Sequence, residues 1–265
     1  MRAEDYPYFD APFLPFAHRG GAKYPPNLGR ENTVYAFRQA VALGYRYLET
    51  DVHATSDGVL MAFHDAVLDR VADHRGAIGS QPYPRLAEVR IAGVDPIPTF
   101  AELLTTFPQA RFNVDAKSDR SVDLLAAAIA EHEAYDRVLV SSFGVARLHR
   151  LRRRLGDRVP SAASVAGVAV NRFVPWLTRA LNTPGVALQL PEYQWVRGRR
   201  IRVLTPGLVR TVHRAGKQVH VWTVDDAETM DRLIDLGVDG IFTDRIDTLK
   251  AVLQQRGLWS GTRRP

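Results

Sequence analysis

Apolar stretches of strand length alternate with stretches in which apolar residues recur every three or four positions, and this alternation runs along nearly the whole chain. Residues 13–20 (FLPFAHRG) predict a short buried strand ending in His18, Arg19 and Gly20. Asn32 or Thr33 is placed to cap the helix that follows, which carries Val34, Phe37, Val41 and Leu43 and is stopped by Gly44. A second strand from Tyr47 returns through an apolar run to His64 and Asp65. Further strands are expected at 111–117, 138–142, 185–191, 218–224 and 239–244, with a weak one near 160–164. Helical periodicity falls at 98–107, 119–134, 144–155, 171–182, 206–215 and 226–236, and a last helix ends near Gln254. Repeated strand-helix units imply parallel strands with right-handed crossovers, and eight of them in 265 residues match an α/β fold, the closed (β/α)8 TIM barrel. An open doubly wound sheet would instead put a Gly-rich phosphate loop after the first strand, and His-Arg-Gly-Gly lacks that spacing. We therefore expect a single barrel domain over 1–265, with a small insertion or lid at 66–98 after the second strand and a tail at 256–265.

Polar chemistry is densest in residues 47–65 (YLETDVHATSDGVLMAFHD). Period two places Glu49, Asp51 and His53 on one face of a strand and Leu48, Thr50 and Val52 on the other. Two carboxylates side by side are costly unless a cation lies between them or one holds a proton, so the pair points to a metal site or an acid/base pair. The same period brings Asn113, Asp115 and Lys117 together. Reactive groups of such barrels lie at the C-terminal ends of strands, and His18, Glu49, Asp51, Asp115, Lys117, Ser141, Gln189, Trp222 and Asp244 all fall there. Around one mouth this set suits metal-assisted phosphoryl chemistry. Glu49, Asp51 and Asp115 offer hard oxygens to one divalent cation, Mg²⁺ or Ca²⁺; Arg19 and Lys117 would hold phosphate oxygens; His18 and His64 would serve as general acid and base. Any one of these residues alone would pass for a structural group, but their convergence argues for a site. His53 lies one step further out and is expected to hydrogen-bond at the rim. His74, His132, His149 and His213 fall in loop or helix patterns that place them at the surface, while His220 shares a strand face with Trp222 and could pack in the core or line the site.

Composition narrows these possibilities. Hydrophobic residues make up 46% of the chain, enough for a substantial core. The absence of cysteine excludes disulfides, thiolate nucleophiles and thiolate metal ligands. The N-terminal MRAEDYPYFDAPFLP has no signal-like apolar run, and no uninterrupted apolar stretch approaches a membrane span, so a cytoplasmic location is expected. A formal net charge of +6 favours an anionic partner. The basic runs at 147–154 and 197–202 lack the interleaved aromatics on which nucleic-acid single strands stack, and the first reads as a solvated helix face.

The motifs HRG at 18–20, ENT at 31–33, ETDVHATSDG at 49–58, FHD at 63–65, IPTFAELL at 97–104, NVDAK at 113–117, VWTVDD at 221–226 and GVDGIFTD at 237–244 resemble, in order, those of the glycerophosphodiester phosphodiesterases, within the phosphatidylinositol-specific phospholipase C-like superfamily. The resemblance implies that Glu49, Asp51 and Asp115 are metal ligands, His18 and His64 the catalytic pair, Arg19 and Lys117 phosphate contacts and Trp222 a wall of the substrate pocket. It also implies hydrolysis of a small-molecule glycerophosphodiester to sn-glycerol 3-phosphate and an alcohol. Three positions depart from the family pattern: Asp115 stands where Glu is usual, Asp225 where Asn is, and Arg245 where Pro is. An alternative reading is a lysophospholipase D-like enzyme in peripheral contact with a membrane, for which the apolar residues of 171–181 and the basic excess speak. No apolar channel for an acyl chain is evident in the sequence, so lysophospholipids are expected to be the slower substrates. A barrel that merely binds phosphate esters would require the loss of a key group, and none of the key groups is missing.

Overall fold

In a computed structural model describing residues 1–174 and 184–260, the elements in chain order are β1 (Leu14–His18), α1 (Val34–Ala42), β2 (Tyr47–Ala54), β3 (Leu60–Ala62), α2 (Tyr83–Leu86), β4 (Arg90–Ile91), β5 (Asp95–Pro96), α3 (Phe100–Thr106), β6 (Arg111–Ala116), α4 (Ser121–Glu131), β7 (Val138–Ser141), α5 (Val145–Leu155), α6 (Val165–Phe173), β8 (Ala187–Leu190), β9 (Tyr193–Val196), β10 (Arg199–Arg202), α7 (Pro206–Arg214), β11 (Gln218–Val221), α8 (Ala227–Asp235), β12 (Gly240–Thr243) and α9 (Ile246–Gln255). The parallel strands form one curled sheet in the order β7-β6-β2-β1-β12-β11-β8. Residues 160–163 join its two ends. The Ala162 amide donates to the Val140 carbonyl at 2.9 Å on one side, and the Ala163 amide donates to the Ala187 carbonyl at 2.8 Å on the other. This segment is the weak strand expected near 160–164. Pro160 has no amide to donate, and the pairing consists of isolated bridges, Val140 with Ser161 and Ala162 with Ala187. These bonds supply the eighth stave and close the barrel.

The period-two reading of the strands holds in a particular form. Leu48 and Val52 of β2, Phe112, Val114 and Ala116 of β6, and Val138 and Val140 of β7 pack outward against the helices. Val219 and Val221 of β11 and Ile241 of β12 do the same on the opposite side. The alternate residues point into the barrel, where Leu14, Phe16, Tyr47, Leu139, Ala187 and Phe242 form its inner filling, with Phe16 and Phe242 stacked at 4.2 Å. Because both faces are covered, every residue of β2 is buried, carboxylates included. At the N-terminal end the Tyr8 carbonyl accepts the Tyr47 hydroxyl at 2.9 Å, which plugs that opening with the chain's first residues.

Several elements differ from the sequence reading. Thr33 alone caps α1, accepting from the Ala36 amide. The helix assigned to 171–182 begins earlier, at Val165, where Ser164 accepts the Gly167 amide. Its described part ends at Phe173, and 175–183 lie outside the described residues. Between β8 and α7, where no element was expected, β9 and β10 pair as an antiparallel hairpin, so the basic run 197–202 lies on its turn and second strand. The hairpin also brings an aromatic to those arginines, with the Arg200 guanidinium 4.0 Å from the Tyr193 ring centroid. The run at 147–154 is α5, buried through Leu148, Leu151 and Leu155, its arginines pairing with Asp119 and Asp123. The 66–98 segment folds on its own apolar cluster of Leu68, Ile78, Leu86, Val89, Ile91 and Ile97 against Met61 and Phe63. The start of the tail docks on the barrel, the Trp259 ring lying edge-on to Tyr45 at 5.0 Å.

Candidate active site

Register sets the site. His18 of β1 pairs with Glu49 of β2, Asp51 of β2 with Asp115 of β6, and Asp115 with Ser141 of β7, so the polar groups gather in two adjacent rows at the C-terminal mouth of the barrel. They share a cavity of about 840 Å³ whose walls include all eight residues proposed from the sequence: His18, Arg19, Glu49, Asp51, His64, Asp115, Lys117 and Trp222.

Each histidine has the same support. His18 Nδ1 lies 2.7 Å from Asp244 Oδ1, and His64 Nδ1 lies 2.5 Å from Asp65 Oδ1. Burial works against ionisation of both Asp244 and Asp65, but their hydrogen bonds outweigh it, to His18 for the first and to Arg70 and His64 for the second, and both carboxyls titrate below their ordinary value. An ionised carboxylate only accepts, so each Nδ1 is the donor and each ring is left with Nε2 as the nitrogen free to take or give a proton. Burial alone would lower the His18 pKa; Glu49 and Asp244 overcome it and hold it above the usual value.

The three carboxylates are deeply buried, with Glu49, Asp51 and Asp115 at 5%, 2% and 5% exposure. Burial, and then the neighbouring Asp51 charge, push Glu49 up to about 7. Asp51 goes the other way: burial raises it, but Lys117 and Arg19 outweigh that and hold it below the ordinary carboxylate value. Lys117 Nζ lies 2.9 Å from Asp51 Oδ1 and 2.7 Å from Asp115 Oδ2, and Arg19 Nε lies 3.4 Å from Asp51 Oδ2. Both cations therefore rest on carboxylates in this structure. Even so, burial keeps Asp115 above its ordinary value, and while Oδ2 rests on Lys117, Oδ1 has no hydrogen-bond partner. A buried carboxylate with an orphaned oxygen, near a second whose ionisation is opposed by burial and a like charge, leaves hard oxygens that fit a divalent cation. Among the described residues no three such groups yet converge as ligands on one point, since the Lys117 ammonium spans Asp51 and Asp115.

Other groups at the mouth were missed or left open by sequence reasoning. Asp244 was visible only as a strand-end residue; its partner is 226 positions away. Glu31 accepts Arg19 Nη1 at 3.0 Å and Arg70 Nη2 at 2.6 Å, and Arg70 Nε donates to Asp65 Oδ2 at 2.6 Å. A continuous chain of ion pairs thus runs from Arg19 to His64 through Arg70 of the 66–98 insertion. Phe143 stands edge-on to Trp222 at 5.8 Å and makes a wall with it. His53 Nε2 donates to the His64 carbonyl at 3.1 Å, the rim role expected of it. His220 is core: fully buried, driven by that burial down to about 3, its ring 5.0 Å from Phe16. The departures from the family pattern keep the site intact, for Asp225 accepts the Asp244 amide at 2.8 Å and Lys23 Nζ at 2.6 Å, while Arg245 turns away to Asp247.

Comparison with known proteins gives the family and agrees with the fold. A probable glycerophosphodiester phosphodiesterase 2 of Mycobacterium tuberculosis is 37% identical over 258 residues, covering 94% of this chain and 93% of the relative. A glycerophosphodiester phosphodiesterase of Parabacteroides distasonis superposes with a TM-score of 0.74 at 23% identity, over 93% of this chain and 99% of the other. A phosphodiesterase of Oleispira antarctica, solved with the product sn-glycerol 3-phosphate, superposes with a TM-score of 0.75 at 20% identity, over 91% and 96% of the two chains. The family model for glycerophosphoryl diester phosphodiesterases matches residues 18–248, and the chain belongs to that family.

Proposed function

We propose that this enzyme hydrolyses glycerophosphodiesters to sn-glycerol 3-phosphate and an alcohol, with Glu49, Asp51 and Asp115 holding one Mg²⁺ or Ca²⁺ ion. The observation that carries the reading is the grouping, in one cavity, of three buried carboxylates, one with an orphaned oxygen, and two imidazoles each tied at Nδ1. The product held by the Oleispira relative supports the substrate class. When bound, the cation supplies positive charge to the phosphoryl oxygens and to the attacking oxygen.

The chain's own residues do the rest. Arg19 and Lys117 present guanidinium and ammonium groups to the phosphate, Arg19 held in place by Glu31. One imidazole Nε2 takes a proton from the attacking water and the other returns a proton to the leaving alcohol, each kept in the working tautomer by its carboxylate. Trp222 and Phe143 offer ring surface to the glycerol carbons without fixing the far group. In the test, glycerophosphocholine is incubated with chelated enzyme and with enzyme resupplied with Mg²⁺ or Ca²⁺, and sn-glycerol 3-phosphate is measured. Release of the product only on resupply is expected; undiminished release after exhaustive chelation would overturn the cation assignment.

A further inference from the structure

The catalytic cavity is polar at one end only. Beyond the carboxylates and histidines it continues outward along α6, the exit of β8 and the β9–β10 hairpin, where Val165, Val168, Phe173, Leu190, Val196 and Ile201 line it. Val165, Phe173 and Val196 are exposed at 60%, 55% and 45%, an unusual state for apolar groups set side by side in a concave wall. Glycerol 3-phosphate has about ten non-hydrogen atoms. At no more than about 30 Å³ for each, the volume of a liquid water, it fills well under half of the 840 Å³ available. The remaining wall offers mainly apolar contact, which favours a chain of methylenes over a polar occupant.

Resting on the phosphodiesterase reading above, we infer that the outer arm binds a long aliphatic chain carried by the glycerophosphodiester, and that the preferred substrate is an amphiphile rather than a bare glycerophosphodiester. No such channel was evident in the sequence, because part of its lining comes from the β9–β10 hairpin, which follows no hydropathy pattern. The continuity of the arm with the catalytic cavity favours a chain on the substrate itself. Hydrolysis then balances as for any diester: the oxygen of water bonds to phosphorus, the P–O bond to the alcohol breaks, and the alcohol leaves with a proton. A chain on the glycerol side would give an acylglycerol phosphate; a chain on the alcohol side would give a long-chain alcohol.

Two substrate series separate these sources. The first is glycerophosphocholine with its 1-butanoyl, 1-octanoyl and 1-dodecanoyl esters, and the second is glycerophosphate diesters of butanol, octanol and dodecanol, all kept below their critical micelle concentrations. In one series kcat/KM should rise at least about tenfold from the four-carbon to the twelve-carbon member as methylenes are buried. In Val168→Asp and Ile201→Asp, which alter the arm from two different elements, that ratio should fall toward one. The ratio is internal to each variant, so a general loss of activity does not mimic the effect. A flat dependence on chain length in both series, or a gain that survives both substitutions, would overturn the inference. If no diester is cleaved at all, calorimetry with monomeric dodecylphosphocholine still decides it. Binding with a negative heat-capacity change that both variants abolish supports the arm while the phosphodiesterase reading fails, and absence of binding rejects it.

Discussion

At the scale of single residues, the site rests on pairs that fix where protons sit. His18→Ala and His64→Ala should each lower kcat by about 10²- to 10⁴-fold, since each removes a positioned acid or base. The two losses should be strongly non-additive if both serve one proton-transfer scheme, so a double variant whose loss equals the sum of the single losses would speak against coupled roles. Neither change should move the melting temperature much, because both rings line the mouth and not the core. Asp244→Asn is the sharper case. It keeps the shape but takes away the charge that makes His18 Nδ1 the donor, so kcat should fall by about 10²-fold or more while KM changes little. Wild-type turnover in that variant would show that the 2.7 Å contact orients nothing. Glu49 and Asp51 were legible in the sequence because strand period places both on one face of β2, and Asp115 because the same period sets it beside Lys117 at the end of β6. Asp244 as the partner of His18 was not, since barrel closure creates that contact and no local pattern records it.

Among the elements, those with one apolar face were legible and those without were not. β2 and β6 alternate cleanly, whereas the hairpin carries Arg and Gln at positions facing solvent and exposes Trp195 at 68%, which leaves no alternation to read. The start of α6 was missed because Val-Ala-Gly-Val-Ala-Val has small apolar residues at every phase, and only the Ser164 cap marks where it begins. The 66–98 segment folds on its own apolar cluster, and its reach into the site through Arg70 depends on tertiary packing that no local pattern records. The turn from β1 to α1 allows a prediction about the element itself. Gly20 sits at φ +85°, and a Cβ there would lie 2.8 Å from the Ala36 Cβ and 2.9 Å from the Ala36 carbonyl carbon. Gly20→Ala should therefore push α1 away from the strand end that carries His18 and Arg19, at a cost of about 2–4 kcal/mol. Urea unfolding would measure this, and a loss below about 0.5 kcal/mol would mean that the helix start yields freely.

For the molecule as a whole, the buried carboxylates of the mouth should give rise to a coupling between cation, proton and fold. In the chelated protein Glu49 titrates near 7 when folded and near 4.5 when unfolded, so between those values the folded state holds a proton that the unfolded state has lost. Its contribution to stability is therefore fully present below about pH 4.5 and lost as pH rises through about 7. A divalent cation needs the ionised carboxylate and must expel that proton, so its affinity should increase with pH across the same window and level off above it. At about one hundred times its dissociation constant the ion would add about 2.7 kcal/mol. In a chain of this length that is a rise of roughly 5–10 °C in melting temperature at pH 8, and less at pH 5.5. Scanning calorimetry with and without Mg²⁺ or Ca²⁺ reads this without any substrate. Glu49→Gln should lessen the fall in stability with pH and remove most of the cation shift, and Asp115→Asn should remove the shift while keeping the greater part of the fall through pH 7. The two variants thereby separate the titration of Glu49 from the orphaned Oδ1 of Asp115, and a melting temperature that neither ion moves at pH 8 would mean that the buried carboxylates are balanced by Lys117 and Arg19 alone.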